Sequence, residues 1–178
     1  AYADLLSSGQ IKAGDEVDFC VPTGNFGNIL AGYYARRMGL PVGRLICASN
    51  DNNVLTDFLR TGVYSLDREF IKTTSPSMDI LVSSNLERLL FEFAGRDGAL
   101  IKEWMKQLRE NGRYDIGKER LAEIRKIFVG GCAMQDEYAE TLRDVFDEYG
   151  YLADPHTSVA FNVCLRYKEE SGGRSPAV

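Results

Sequence analysis

The run Val21-Pro22-Thr23-Gly24-Asn25-Phe26-Gly27-Asn28 sets two glycines three positions apart, after one apolar stretch and before another. Glycines there can take positive φ and let the backbone approach a bound group closely. If a helix starts at this point, its first N–H groups lack intrahelical acceptors and its dipole favours negative charge. Gly24, Asn25, Phe26, Gly27 and Asn28 are therefore candidate ligands of a phosphate. The run lacks the Lys-Ser/Thr ending of a nucleotide-triphosphate loop and the third glycine of a dinucleotide fingerprint, which points to a phosphate monoester. By spacing alone, the same residues also make an ordinary tight strand-to-helix connection.

A second cluster stands at Asp154-Pro155-His156-Thr157-Ser158-Val159-Ala160. A Pro turn followed by Thr opens a helix, so the Thr157 hydroxyl is either a helix cap or a ligand. His156 is the one histidine of the chain, with no metal-ligand set beside it, and it receives no catalytic role. Two further polar stretches, Ala48-Ser-Asn-Asp-Asn-Asn-Val-Leu55 and Ser75-Pro-Ser-Met-Asp-Ile80, read as turns and helix caps rather than as ligand contacts.

The elements that must carry these residues follow from periodicity and breakers. Residues 17–21 are β-biased, 28–38 helical and 44–48 a second buried strand, which makes a β-α-β unit and a parallel sheet. A short helix is expected over 54–60, β-biased chain at 70–72, and a helix with Leu86, Leu89, Leu90 and Phe93 on one face. Residues 98–126 read as a helical insertion broken at Gly112, and 127–131 as a strand and turn. A helix over 136–149 and a last helix from 154 to about 170 complete the α/β pattern. The expected division is 1–165 as one region and 166–178 as helix end and flexible tail.

Composition narrows the function. With 44% hydrophobic residues in 178, the chain can build a proper core. A net charge of -5 argues against nucleic acid and anionic membranes as partners. The apolar runs are too short to span a bilayer. Four scattered cysteines without a C-x-x-C pair favour a reducing cytoplasm. The opening Ala1-Tyr-Ala-Asp-Leu-Leu reads as helix already under way, so the chain is expected to be part of a longer protein.

The glycine string, continued by Ile29-Leu-Ala-Gly-Tyr-Tyr-Ala35, resembles the cofactor-phosphate loop of threonine synthases, enzymes that use pyridoxal 5'-phosphate (PLP). Asp154-Pro-His-Thr-Ser-Val159 is similar to a segment near the C-terminal end of that family, and the two polar stretches fit it as well, although Asn53 stands where an aspartate is usual. The resemblance covers about Asp18 to Leu165. It implies part of a fold-type-II PLP enzyme of the tryptophan synthase β-like kind, with Gly24–Asn28 on the cofactor phosphate and Thr157 against the pyridine nitrogen. It also implies conversion of O-phospho-L-homoserine and water to threonine and phosphate. The family's Phe-Lys-Asp segment, whose lysine holds the cofactor covalently, does not occur, and none of the seven lysines has a matching context. No catalytic residue is therefore assigned, and the chain alone is expected to be inactive, its sheet edge covered by an N-terminal half or by self-association. Two alternatives stay open: another lyase of the same fold type, such as a threonine dehydratase or cysteine synthase, and a non-catalytic module binding a phosphate-bearing metabolite.

Overall fold

In the computed structural model, which describes residues 1–173 and 175–178, thirteen elements follow one another. They are α1 (Tyr2–Ser7), β1 (Val17–Pro22), α2 (Gly27–Arg37), β2 (Val42–Ser49), α3 (Val54–Thr61), β3 (Val63–Ser65), α4 (Leu86–Phe93), α5 (Gly98–Asn111), β4 (Arg113–Asp115), α6 (Lys118–Arg125), β5 (Phe128–Cys132), α7 (Gln135–Tyr149) and α8 (Pro155–Ser171). A 3-10 turn, Pro76–Met78, lies in the long connection between β3 and α4.

The main sheet has the order β1-β2-β5, and both pairings are parallel. β2 is central, and its alternation shows why it can be apolar throughout. Leu45 and Cys47 enter one buried cluster with Phe26, Ile29, Leu59 and Phe128, while Ile46 and Ala48 enter a second with Tyr138, Val159 and Val163. Successive side chains of a strand point to opposite faces, so a strand covered on both faces reads as continuous hydrophobicity. Helices α2 to α6 cover the first face, and α7 and α8 the second. β5 can lie between α3 and α8 because a Cβ at Gly131 would come within 2.5 Å of Val163 Cγ1. A larger residue there would force α8 off the sheet.

Three expectations differ from the structure. The region read as a helical insertion contains α5 and α6 but also β4, which pairs antiparallel with β3 in the register Tyr64 to Tyr114. The two rings stack at 5.4 Å, so this pairing is driven by aromatic burial that a three-residue strand cannot show as periodicity. Residues 70–72, expected to be β-biased, form no strand. The tail expected to be flexible also has defined partners: Asp18 N–H donates to Pro176 O, Cys20 N–H to Val178 O and Val178 N–H to Asp18 O. Residues 176–178 thus run along the outer edge of β1, and Asp18 pairs with Ala177 in parallel. Among the described residues, no helix is long and apolar enough to cross a membrane.

Candidate functional site

All three parallel strands end on the same side, and the polar residues singled out in the sequence gather there, as ligand sites do in open α/β sheets. β1 ends at Pro22, and Thr23 N–H donates to Ala48 O, which carries the sheet pattern one residue into the loop. The loop then turns into α2. The first intrahelical bond runs from Leu30 N–H to Phe26 O. Among the described residues, the N–H groups of Gly24, Asn25, Phe26, Gly27, Asn28 and Ile29 have no protein acceptor. They line a cavity of about 360 Å³ closed on its other sides by Ser77, Met78 and His156.

The turn is made differently from the sequence expectation. Neither Gly24 nor Gly27 has positive φ; Phe26 does, with φ 62 and ψ 10. A left-handed conformation costs a non-glycine residue about 1–2 kcal/mol. What offsets it is burial: the Phe26 ring is 1% exposed and lies 5.6 Å from the Phe128 ring, centroid to centroid. Burying a phenylalanine is worth about 1.5–3 kcal/mol, enough to hold the backbone in the strained region. With its side chain in the core, Phe26 can offer a ligand only its N–H. Gly24 is needed for a close approach, since a Cβ there would sit 2.7 Å from Ser77 O. At Gly27 a Cβ would meet nothing nearer than Asn85 Nδ2 at 3.5 Å. Asn25 O accepts from Asn85 N–H and Nδ2, and Ser83 Oγ donates to Gly24 O, so the loop is tied to the start of α4 through its carbonyls while its N–H groups stay free.

The cavity lining carries no lysine or arginine. Six unspent backbone donors, several at the N-terminus of an eleven-residue helix, nevertheless fit a phosphate dianion, for which N–H groups and a helix dipole suffice. No lysine is placed to bond covalently to a cofactor aldehyde in this cavity.

The second wall depends on a buried polar hub that the sequence reading took for separate turns. Asp79 accepts from Thr73 N–H at 2.8 Å, Thr73 Oγ1 at 2.7 Å, Asn50 Nδ2 at 2.8 Å and Asn52 Nδ2 at 3.0 Å. Asn52 Oδ1 accepts from Ile71 N–H, and its Nδ2 donates to Ile71 O. Asn50 and Ser75 are fully buried. Burial pushes the Asp79 carboxyl up, but the bonds from Thr73, Asn50 and Asn52 outweigh it and hold it below the usual carboxylate range. The hub fastens residues 71–79 to the end of β2 and so brings Ser77 against Gly24. Asn53, where the resembled family has an aspartate, accepts from Arg68 Nη1 at 2.8 Å while Arg68 Nη2 pairs with Asp57. The amide thus keeps that arginine bound without a charge of its own.

The third wall is the start of α8. Asp154 caps it, accepting from His156 N–H and Thr157 N–H, and Pro155 takes the first helical position. The Thr157 hydroxyl also donates to Asp154, at 2.6 Å, which with the His156 bonds lowers the Asp154 pKa to about 2. Thr157 is therefore not the cap itself. Nor does it line the glycine-loop cavity; it faces a neighbouring apolar hollow with Cys20, Pro22, Ala160 and Cys164. The residue that reaches the cavity is His156, to which the sequence reading gave no role. Its Nε2 accepts from Ser77 N–H at 3.2 Å, which places the ring proton on Nδ1, 2.9 Å from Asp154 Oδ1. His156 thus clasps the second wall to the third. A ring between a carboxylate two residues before it and a Ser-Pro turn was a signal open to the sequence, but only contact shows it.

No family model matches the chain. It is 45% identical to human threonine synthase-like 1 over 172 residues, 96% of this chain and 23% of that protein. It is 44% identical to Pseudomonas aeruginosa threonine synthase over 143 residues, 80% of this chain and 30% of that one. Among solved structures, PLP-bound threonine synthase from Brucella melitensis superposes with a TM-score of 0.91 at 45% identity, covering 99% of this chain and 37% of that one. Yeast threonine synthase superposes with a TM-score of 0.88 at 33% identity, covering 97% of this chain and 36% of that one. The chain spans about a quarter to a third of the length of these relatives. By sequence and by fold together, it belongs with the threonine synthases, as a segment of their α/β structure that carries the glycine loop.

Proposed function

We propose that the glycine loop binds the phosphate of PLP within a threonine synthase, and that the whole protein converts O-phospho-L-homoserine and water to threonine and phosphate. The observation that carries this reading is the row of unspent N–H donors at residues 24–29, which matches a phosphate in number and sign and has no protein acceptor to serve. Gly24, Asn25, Phe26, Gly27 and Asn28 hold the phosphate through the backbone. Thr157 serves the ring-nitrogen end: its hydroxyl proton goes to Asp154, and its lone pairs remain for a partner. Asp154 keeps that hydroxyl oriented. Bound in this way, PLP supplies an electron sink for the substrate's α-carbon. The glycine loop contributes orientation and charge compensation, the part of such catalysis that a protein backbone provides. Further chain in the whole protein supplies the lysine and the groups that grip the substrate carboxylate. The four unpaired cysteines favour a reducing compartment such as the cytoplasm.

The test is an absorbance titration of the chain with PLP, repeated on Gly24→Asp and Thr157→Val and followed by borohydride. Saturable binding that Gly24→Asp weakens at least tenfold, with no borohydride-trapped lysine, supports the reading. Binding equal in wild type and Gly24→Asp would rule it out.

A further inference from the structure

Two of the four cysteines meet where β1 packs on α8. Cys20 is on β1, and its Sγ lies 3.3 Å from Ala160 O. Cys164 is one helical turn beyond Ala160 on α8, so it occupies the same helix face. Both are half-buried, both line the apolar hollow beside Pro22 and Thr157, and both pack against the core cluster on that side of the sheet. The remaining cysteines are placed differently: Cys47 is fully buried within β2, and Cys132, at the end of β5, accepts from Asn53 Nδ2.

The surroundings distinguish the two sulfurs. Lys168, one further turn along α8, is bonded to Asp18 of β1 at 2.7 Å. The neighbouring Cys20 thiol and the attraction of Lys168 lower the Cys164 thiol to about 7, against desolvation and the Asp18 charge. Cys20 moves the other way, because the neighbouring Cys164 favours its neutral thiol, because it is buried, and because Cys164 and Cys47 would repel its charge; its S–H is given to Ala160 O. One sulfur is about half ionised at neutral pH and its neighbour keeps its proton, which is the arrangement of an attacking and a resolving thiol.

We propose that Cys20 and Cys164 form a thiol–disulfide exchange site that takes small disulfides such as oxidised glutathione. The Cys164 thiolate attacks one sulfur of the disulfide, forming a mixed disulfide and releasing one glutathione thiolate. Cys20 then gives up its proton and attacks Cys164 Sγ, the second glutathione leaves as its thiolate, and the internal disulfide is formed. One molecule of oxidised glutathione is reduced to two of glutathione as the two protein thiols are oxidised. The new bond fastens β1 to α8 and so fixes the Asp154–Thr157 helix start relative to the glycine loop.

The experiment is equilibration of the chain in oxidised and reduced glutathione at neutral pH, acid quench, and peptide mapping by mass, with Cys20→Ser, Cys164→Ser and Cys132→Ser variants in parallel. The expected product is a Cys20–Cys164 peptide pair in wild type and in Cys132→Ser, whereas Cys20→Ser stops at a mixed disulfide on Cys164. In iodoacetamide labelling, Cys164 should react with a midpoint near pH 7. At that pH a half-ionised thiol offers roughly fifty times more thiolate than one titrating two units higher, and lower nucleophilicity returns about tenfold, leaving roughly fivefold faster labelling. Four free thiols after oxidation, a wild type that stops at the mixed disulfide, a link through Cys47 or Cys132, or labelling of Cys164 no faster than of Cys132 would each overturn the proposal.

Discussion

The glycine loop and the Asp79 hub, which holds the Ser77–Met78 wall facing that loop, are built on opposite rules. In the hub almost every polar atom is used: one carboxylate receives four donors from Thr73, Asn50 and Asn52, and both asparagines are bonded on their oxygen and nitrogen sides. In the loop the carbonyls are tied down and the N–H groups from Gly24 to Ile29 are left over. The row opens to solvent at Asn25, Gly27 and Asn28, so its N–H groups are free to serve an anion that binds at the start of α2. The hub is a fastener, and side-chain polarity by itself would have pointed to the wrong wall.

Changing the residues that hold each region should separate them. Phe26→Ala removes a fully buried ring and should cost about 3–5 kcal/mol of unfolding free energy by urea denaturation. A loss below 1 kcal/mol would mean that the loop is not anchored from the core. Asp79→Ala leaves the buried donors of Asn50, Asn52 and Thr73 without their acceptor and should cost about 2–3 kcal/mol. Hydrogen exchange should then quicken at residues 71–79 while β1 and β2 stay protected, and uniform quickening would show that the hub is not local. Gly24→Ala drives a methyl against Ser77 O and should cost about 1–3 kcal/mol, with weaker PLP-phosphate binding than Gly27→Ala, where the methyl meets only ordinary contact with Asn85. Equal effects at the two glycines would remove the close-approach argument.

The smallest effect concerns the cap. Asp154→Ala should destabilise by about 1 kcal/mol at neutral pH. Because the folded carboxyl is held down at about 2, against 3.8 without its partners, this contribution is whole above the unfolded value and disappears as pH falls through the folded one. The difference between wild type and variant should therefore shrink from about pH 4 downward and be mostly gone at pH 2, and a difference undiminished at pH 2 would assign it to something other than the charged cap.

Much of this was legible in the sequence, and the misses share a cause. Strand, glycine turn and helix at 17–37 are local patterns, and both motifs contribute residues to the lining of the cavity. The left-handed residue was assigned to glycine because glycine adopts it most easily, whereas the structure gives it to Phe26 so that the ring can reach Phe128. Asp79 was read as part of a turn because its donors lie up to 29 residues away, beyond any periodic window. Thr157 and His156 are adjacent on a helix that turns about 100° per residue, so their order was clear but not which of them faces the loop cavity. β4 and the tail were missed because their strand character comes from partners rather than from their own composition.

Strand β1 takes one neighbour from close by in the chain and the other from its far end, where Lys168 also bridges 150 residues to Asp18. Contacts closed over so long a loop form late in folding, whereas β1 and β2 can pair as soon as both exist. During synthesis on the ribosome, residues 176–178 emerge long after β1, so β1 is without this partner until nearly the whole segment is out. That interval is when the chain is most open to a chaperone or to pairing with the wrong strand.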